Sequence, residues 1–222
     1  MMSHENITES VKTEKEDQMN LFQIVQSNLF AYFPKPNYIM FSYISPVPVF
    51  SHFECKTIVQ FAKENKMEYQ KINKNTIDLS EFNAKMTHFD YGQNADVDYF
   101  YEKIREMVVN INKELWSFDL CDYGEPLKFM EYTEGGFAIM HSDLSHINVS
   151  KYRKLTIVVQ LSDENEYEGG DLVIQFYEKE QIMPKKIGTV IIFPSILMHR
   201  INPVTKGVRN TIVAFAYGPP FR

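Results

Sequence analysis

The chain has 222 residues, of which 44% are hydrophobic, including 17 Phe and 13 Tyr. This length and composition suit one folded domain with a substantial core. The formal net charge is −6 and no dense Lys/Arg run occurs, which argues against nucleic acid as the main partner, because phosphate binding needs a basic surface.

Neither a signal-peptide pattern nor an apolar stretch of about 18 residues is present. The two cysteines, Cys55 and Cys121, form no Cys-x-x-Cys pair. We therefore expect a cytoplasmic protein in a reducing compartment that has no membrane segment.

The chain begins with a polar, charged stretch, residues 1–20, which predicts a flexible tail or a weak helix. Residues 21–40 are more apolar, and we expect them to pack against the main body. The prediction is a single domain over 21–222 with its core at about 45–217. No internal repeat or second domain is evident.

Two helices are predicted before the strands begin. Ser51-His-Phe-Glu54 fits a capping box, which indicates a helix from about His52 to Asn65. The expected buried residues of this helix are Phe53, Ile58, Phe61 and Ala62. A second helix is predicted behind a possible Asp96 cap, because apolar residues recur at helical spacing: Phe100, Ile104, Met107, Val108, Ile111 and Leu115.

From Ser117 onward the pattern changes to short strands separated by turn residues. Helices first and strands later predict an α+β fold, predominantly β, in which N-terminal helices flank an antiparallel sandwich or jelly-roll barrel. The predicted strands are Leu127–Tyr132, Phe137–Asp143, Leu155–Leu161, Leu172–Phe176, Gly188–Phe193, Met198–Ile201 and Arg209–Tyr217.

His141 and Asp143 stand two residues apart in a predicted strand, so both side chains should point to the same face. With a third, distant ligand they could form the facial triad of non-heme Fe(II) oxygenases, which leaves three metal positions open. Zinc would instead take a tetrahedral set. A His-x-Asp triplet is weak evidence by itself, because a half-buried strand histidine is more often a hydrogen-bonded core residue.

His199 is the candidate third ligand, and it follows the apolar run that ends at Pro194-Ser195. The stretch from His199 to Arg209 predicts a hairpin, since Asn202, Pro203 and Gly207 are turn residues. A hairpin centred near Val204 would place the α-carbons of His199 and Arg209 about 5 Å apart.

Arg209 and Thr211 alternate with apolar residues and should share one face of the last strand. A guanidinium and a hydroxyl in such a pocket suit a carboxylate ligand. The alternative is an arginine at the exposed end of a strand. Of the other histidines, His146 is most simply a loop residue, and His88 is a candidate ligand only if His141 is not one.

These residues carry a resemblance to the Fe(II)- and 2-oxoglutarate-dependent oxygenases, in the prolyl 4-hydroxylase-like branch. The resemblance covers about Ser45 to Tyr217. It is strongest in Tyr132-Thr-Glu-Gly-Gly-Phe-Ala-Ile-Met-His141-Ser-Asp143, in Tyr167-Glu-Gly-Gly-Asp-Leu172 and in Gly188-Thr-Val-Ile-Ile-Phe-Pro194 with His199 and Arg209. Many prolyl hydroxylases have Lys where Arg209 stands, which bears on the subfamily.

The resemblance implies a double-stranded β-helix fold in which His141, Asp143 and His199 bind iron. Arg209 would bind the distal carboxylate of 2-oxoglutarate, with help from Thr211 and the Tyr132 hydroxyl. The implied activity is hydroxylation of an unactivated C–H bond with release of succinate and carbon dioxide. Fe(II), 2-oxoglutarate and dioxygen are the implied cofactors and cosubstrates, with ascorbate as a further candidate.

A Pro-containing protein or peptide is the substrate that the resemblance favours. The alternatives are a free amino acid or another small metabolite, and a non-catalytic β-barrel that serves as a binding module. Residues 73–98 would correspond to a loop that folds over the substrate, because a long segment without clear elements is uncommon unless it is functional or disordered. The other interpretation of this segment is a surface insertion with one or two short strands.

Overall fold

The computed structural model describes residues 42–65, 68–69, 82–121, 123–146 and 148–220. The described residues belong to one compact unit, residues 39–222. The predicted tail (residues 1–20) and the apolar segment 21–40 lie outside the described residues. Within the described ranges no helix is both long and apolar enough to span a membrane.

Fourteen strands are found in the described ranges, and every pairing between them is antiparallel. Seven form one sheet in the order β1-β11-β7-β14-β5-β4-β2, five form a second sheet in the order β10-β9-β12-β6-β3, and β13 pairs with β8. The strands are β1 (Tyr43–Ile44), β2 (Glu68–Tyr69), β3 (Phe82–Asn83), β4 (Lys85–Phe89), β5 (Leu127–Tyr132), β6 (Phe137–His141), β7 (Arg153–Gln160), β8 (Tyr167–Gly169), β9 (Leu172–Phe176), β10 (Lys179–Ile182), β11 (Val190–Pro194), β12 (His199–Ile201), β13 (Val204–Gly207) and β14 (Arg209–Tyr217).

Helix α1 (His52–Glu64) begins at the predicted capping box, in which the Ser51 hydroxyl accepts a hydrogen bond from the Glu54 N–H. The buried face of α1 consists of Cys55, Ile58, Val59 and Ala62. The prediction that Phe53 is buried was wrong, since its side chain is 81% exposed. The core-facing positions recur every three or four residues from Cys55, and Phe53 falls outside that stripe.

Helix α2 (Ala95–Leu115) is capped by Asn94 and not by Asp96. The Asn94 side chain accepts a hydrogen bond from the Asp96 N–H at 2.7 Å, while its own backbone is extended, as the cap position requires. The predicted periodicity holds, because Phe100, Ile104 and Val108 are buried, and Met107, Ile111 and Leu115 pack at the edge of the same cluster.

The segment 73–98 contains regular elements in its described part. Residues 73–81 lie outside the described part of the chain, but β3 and β4 lie within the segment and α2 begins at its end. Strand β4 pairs along its whole length with β5, and its residues Met86 and Phe89 are buried on opposite faces of the sheet. This agrees with the alternative of short strands for residues 82–89, and the folding of the segment over a substrate stays a prediction.

The core has two layers, one on each face of the seven-stranded sheet. One layer packs α1 and α2 against residues such as Phe129, Ile157 and Ile212. The other layer joins the two large sheets and includes Val158 and Ile174. Strands β7 and β14 are therefore buried on both faces, and the whole is the predicted jelly-roll architecture with flanking helices.

Candidate metal centre

His141, Asp143 and His199 lie together, with one candidate ligand atom of each within 4.8 Å of the other two. The Nε2 atom of His199 is 3.3 Å from Asp143 Oδ2, and that of His141 is 3.8 Å from Asp143 Oδ1. Neighbouring ligands of an octahedral metal at about 2.1 Å lie about 3 Å apart. The three side chains thus need only small movements to bind one ion.

The two histidines are placed by strand pairing in the five-stranded sheet. His141 of β6 and His199 of β12 are direct partners in the register, and their rings lie 4.3 Å apart. Each ring uses Nδ1 to bond a backbone carbonyl two residues earlier, that of Ile139 at 2.7 Å and that of Leu197 at 3.0 Å. With Nδ1–H donating, both Nε2 atoms are left as acceptors that face the cluster.

Asp143 reaches the cluster from a bend and not from a strand, because β6 ends at His141. The bend is held by the backbone carbonyl of Ser195, which accepts from the Ser142 hydroxyl at 2.9 Å and from the Leu144 N–H at 2.9 Å. The shared orientation of His141 and Asp143 was predicted from strand alternation. The structure achieves it through this turn instead.

A buried hydrogen-bond network orients the Asp143 carboxylate. The Thr156 hydroxyl donates to Asp143 Oδ2 at 2.8 Å and lies 3.0 Å from the Ser195 hydroxyl. Burial by itself would raise the pKa of the Asp143 carboxyl, but His199, and to a lesser degree His141 and Arg153, hold it well below its usual range. The carboxylate is therefore ionised, as metal binding requires.

Arg209 is a buried cation, because only 1% of its surface is exposed. Its Nη2 donates to the Gln160 Oε1 at 3.2 Å, and its guanidinium carbon lies 5.3 Å from the centre of the Tyr132 ring. Among the side chains that the structure describes, no carboxylate is within salt-bridge distance of this guanidinium. A buried charge of this kind is costly unless an anion pairs with it.

One cavity of about 370 Å³ connects the histidine cluster with Arg209. Tyr132 and Thr211 line it, together with Val213 and Phe215 from the same face of β14. Burial raises the pKa of the Tyr132 phenol, so the hydroxyl is a neutral hydrogen-bonding group there. The predicted alternation along β14 is confirmed, because Arg209 and Thr211 face the cavity together.

The predicted hairpin between His199 and Arg209 was wrong. β12 pairs with β6 and β9, β13 pairs with β8, and β14 pairs with β5 and β7, so the two residues lie in different sheets. Pro203 has no N–H to extend the ladder beyond Ile201. Gly207, with a φ of +77°, turns the chain toward β14. Arg209 faces the cluster across the cavity instead of along a hairpin.

Sequence reasoning missed several polar residues that line the cavity or contact its lining residues. Thr156 and Gln160 are polar positions inside the apolar strand β7, a signal that could have identified them. Arg153 bonds the Glu125 carboxylate at 2.6 and 2.8 Å, and its Nη1 donates to the Asp143 carbonyl at 3.2 Å. Lys128 also pairs with Glu125, at 2.7 Å. His88 and His146 do not belong to the cluster in the described part of the chain.

Part of the chain is similar to a known family. Residues 127–217 match the model of the 2OG-Fe(II) oxygenase superfamily, and this range holds the three candidate ligands and Arg209. A PKHD-type hydroxylase of a Picosynechococcus species is 35% identical over 89 residues. That alignment covers 40% of this chain and 40% of the relative, so the chain is matched to less than half the length of this curated protein.

Solved structures share the fold over a longer range. The crystal structure of a Pseudomonas putida prolyl-4-hydroxylase aligns with a TM-score of 0.65 at 15% identity, covering 80% of this chain and 92% of that one. A Trichoplax adhaerens prolyl hydroxylase in complex with a peptide fragment of the hypoxia inducible factor oxygen degradation domain aligns with a TM-score of 0.67 at 14% identity, covering 82% and 84%. Residues 127–217 are thus similar to the 2OG-Fe(II) oxygenase superfamily, and the chain shares the double-stranded β-helix fold of these prolyl hydroxylase structures.

Proposed function

We propose that this protein is an Fe(II)- and 2-oxoglutarate-dependent dioxygenase that hydroxylates an unactivated C–H bond and releases succinate and carbon dioxide. The observation that carries the proposal is one cavity with a His-Asp-His cluster at one end and a buried guanidinium at the other. The family implies both Fe(II) and 2-oxoglutarate.

His141, Asp143 and His199 would bind the iron. Their donor set is two imidazole nitrogens and one carboxylate, which is the set of the non-heme Fe(II) facial triad. When bound, Fe(II) with 2-oxoglutarate and dioxygen supplies the oxidising chemistry. The protein contributes fixed ligand orientation, since the Ile139 and Leu197 carbonyls lock the rings and Thr156 locks the carboxylate.

Arg209 would bind the distal carboxylate of 2-oxoglutarate. Its charge lacks a carboxylate partner among the described side chains, and a carboxylate ligand would satisfy both its charge and its fork of N–H donors. The Thr211 hydroxyl, on the same face of β14, and the Tyr132 hydroxyl would add hydrogen bonds. The floor of Val213 and Phe215 would keep water from this ion pair.

For the substrate we propose a prolyl residue in a protein or peptide. A surface groove supports this choice, because Tyr91, Tyr101 and Tyr123 line it with Pro126 and Glu125. The tyrosine rings meet edge to face, 5.6 and 5.7 Å apart. Aromatic grooves suit extended proline-containing chains, and Glu125 links the groove to the cavity through Arg153. One of the structural neighbours is a complex with a peptide.

A free amino acid is the second candidate substrate. Lys128 and Arg153 both line the cavity, both lie against the Phe215 ring and both pair with Glu125, and Arg153 also lies 3.9 Å from Asp143 Oδ1. These two cations suit the carboxylate of a small molecule. Such a substrate would be turned over without the surface groove, so a Tyr91→Ala variant separates the two candidates.

The test begins with anaerobic addition of Fe(II) and 2-oxoglutarate to the wild-type protein and to Asp143→Ala, with Asp96→Ala as a control carboxylate on the surface of α2. We expect the weak visible charge-transfer band in the wild type and the control but not in Asp143→Ala. Proline-containing peptides are then incubated aerobically, with ascorbate as the reductant that we propose keeps the iron ferrous.

Mass spectrometry should show a gain of one oxygen atom on a peptide, together with succinate. Turnover that Tyr91→Ala abolishes supports a peptide substrate, whereas turnover of free amino acids alone supports the second candidate. Folded wild-type protein that shows neither the band nor metal uptake would contradict the oxygenase proposal and favour a binding module.

A further inference from the structure

Tyr167 is a buried phenol next to Arg209. It lies in β8, where its register partner in β13 is Gly207, two residues before Arg209. Both residues flank Gly170: a side-chain carbon added there would lie 3.0 Å from Arg209 Cδ and 3.3 Å from Tyr167 Cε2. The φ of Gly170 is +64°, which favours glycine in any case. The absence of a side chain at Gly170 therefore lets the ring and the guanidinium stem approach each other.

Two buried polar atoms in this contact, the Tyr167 hydroxyl and the Arg209 Nε, make no hydrogen bond of good geometry within the described ranges. The phenol and the guanidinium nevertheless lie close enough for a weak hydrogen bond between them to act on the pKa of Tyr167. Burial raises the pKa of the Tyr167 phenol, and the adjacent Arg209 guanidinium opposes that rise. Buried polar atoms of this kind usually have partners, so an unpartnered pair calls for an explanation.

Lys185 helps to fix the position of the Tyr167 ring. The Lys185 ammonium lies 5.1 Å from the ring centre, donates to the Gly169 carbonyl at 2.6 Å and pairs with Asp171 at 2.8 Å. The phenol can therefore act as a rigid support for a neighbouring side chain. Gln160 contacts another atom of the guanidinium, Nη2. Its own Nε2 donates to the Pro184 carbonyl, and this hydrogen bond orients its Oε1 toward Arg209.

We propose that Tyr167 is a positioning residue for Arg209, so that the Tyr167-Glu168-Gly169-Gly170 segment is the rear part of the site for the distal carboxylate of 2-oxoglutarate. This inference rests on the proposed function. When the carboxylate binds, the phenol oxygen accepts an N–H of the guanidinium. The remaining N–H donors then point into the cavity, in the orientation that a carboxylate needs.

The test compares two ligands on two variants. Affinities for 2-oxoglutarate and for pyruvate, a 2-oxo acid without the distal carboxylate, are measured anaerobically with Fe(II) for the wild type and Tyr167→Phe. We expect the 2-oxoglutarate dissociation constant to rise about tenfold, the effect of losing one hydrogen bond to a charged group. The pyruvate dissociation constant should not change, because pyruvate has nothing for Arg209 to bind.

Tyr99→Phe is the control. Its phenol also makes two hydrogen bonds, to the Glu54 carboxylate and from the Lys103 ammonium, away from Arg209. This variant should leave both dissociation constants unchanged. Equal weakening of the two ligands in Tyr167→Phe, or no weakening of either, would overturn the positioning role. If the wild type bound pyruvate and 2-oxoglutarate equally well, the carboxylate site of the proposed function would itself be wrong.

Discussion

Replacing Arg209 with methionine should stabilise the ligand-free protein and abolish its response to 2-oxoglutarate. An unpaired charge buried in a protein costs several kcal/mol. The hydrogen bond to Gln160 offsets about 1.5–3 kcal/mol of this cost, and the Tyr132 ring offsets about 1–2 kcal/mol. A residual cost of about 1–2 kcal/mol disappears in Arg209→Met, although the variant leaves the Gln160 oxygen without its donor. We expect the free energy of unfolding to rise by about 1 kcal/mol, or about 2–4 °C in Tm.

Addition of 2-oxoglutarate should make the wild type more stable than Arg209→Met. At a concentration of 2-oxoglutarate about 100 times its wild-type Kd, with Fe(II) under anaerobic conditions, the wild type gains about 2.7 kcal/mol. Loss of a buried charged partner weakens binding by about 2–5 kcal/mol, so Arg209→Met gains less than about 1 kcal/mol at the same concentration. Thermal unfolding with and without ligand measures both effects, and the two Tm values should change order when 2-oxoglutarate is added.

The control is Arg105→Met, which removes an exposed arginine whose nearest carboxylate, that of Glu102, is 3.8 Å away. It should behave as the wild type in both conditions. A ligand-free Arg209→Met variant that is clearly less stable than the wild type would show that the guanidinium is satisfied without a ligand. An undiminished gain in Tm with 2-oxoglutarate would show that Arg209 is not the carboxylate partner.

Three further predictions concern the supporting residues. Thr156→Val removes the 2.8 Å hydrogen bond to Asp143 at nearly constant shape, and we expect iron affinity to fall at least about tenfold in an anaerobic Fe(II) titration; an unchanged affinity would refute the orienting role. Ser51→Ala removes the α1 cap and should cost about 1 kcal/mol in urea unfolding without altering turnover per folded molecule. Burial would raise the pKa of Glu125, but its bonds with Arg153 and other neighbours lower it from 4.5 to about 2. The resulting stabilisation is present above pH 4.5 and is lost as the pH falls to about 2. Glu125→Gln should therefore be less stable than the wild type by up to about 3 kcal/mol at neutral pH, and the difference should vanish on acidification.

The local elements of this protein follow from its sequence. The bounds of β5, β9 and β14 agree with the prediction, because apolar alternation and turn residues act over a few neighbouring positions. The capping box at Ser51 and the helical period of α2 were likewise sufficient to locate both helices. Errors at this level were small. The predicted cap of α2 was Asp96 and the observed cap is Asn94, because both side chains are suited to capping and only the backbone conformation distinguishes the two positions.

The composition of the candidate site could also be predicted from the sequence, because the side chains of His141, Asp143, His199 and Arg209 are suited to binding a metal ion and a carboxylate. The way in which the chain brings them together was not. The sequence placed His199 and Arg209 on one hairpin, and the structure places them in different sheets that face each other across the cavity. Strand partners are chosen by contacts between distant segments, which no local pattern encodes.

Only the tertiary structure identified the residues around the site. Thr156 contacts Asp143, Gln160 contacts Arg209, and Tyr167 reaches the guanidinium through a strand that pairs with β13. No pattern within their own segments shows which side chains these residues contact. The sequence by itself determined which elements form and which chemical groups are present. The packing of two sheets decided which groups meet, because the free energy of burying a charge depends on neighbours that are far away in the chain.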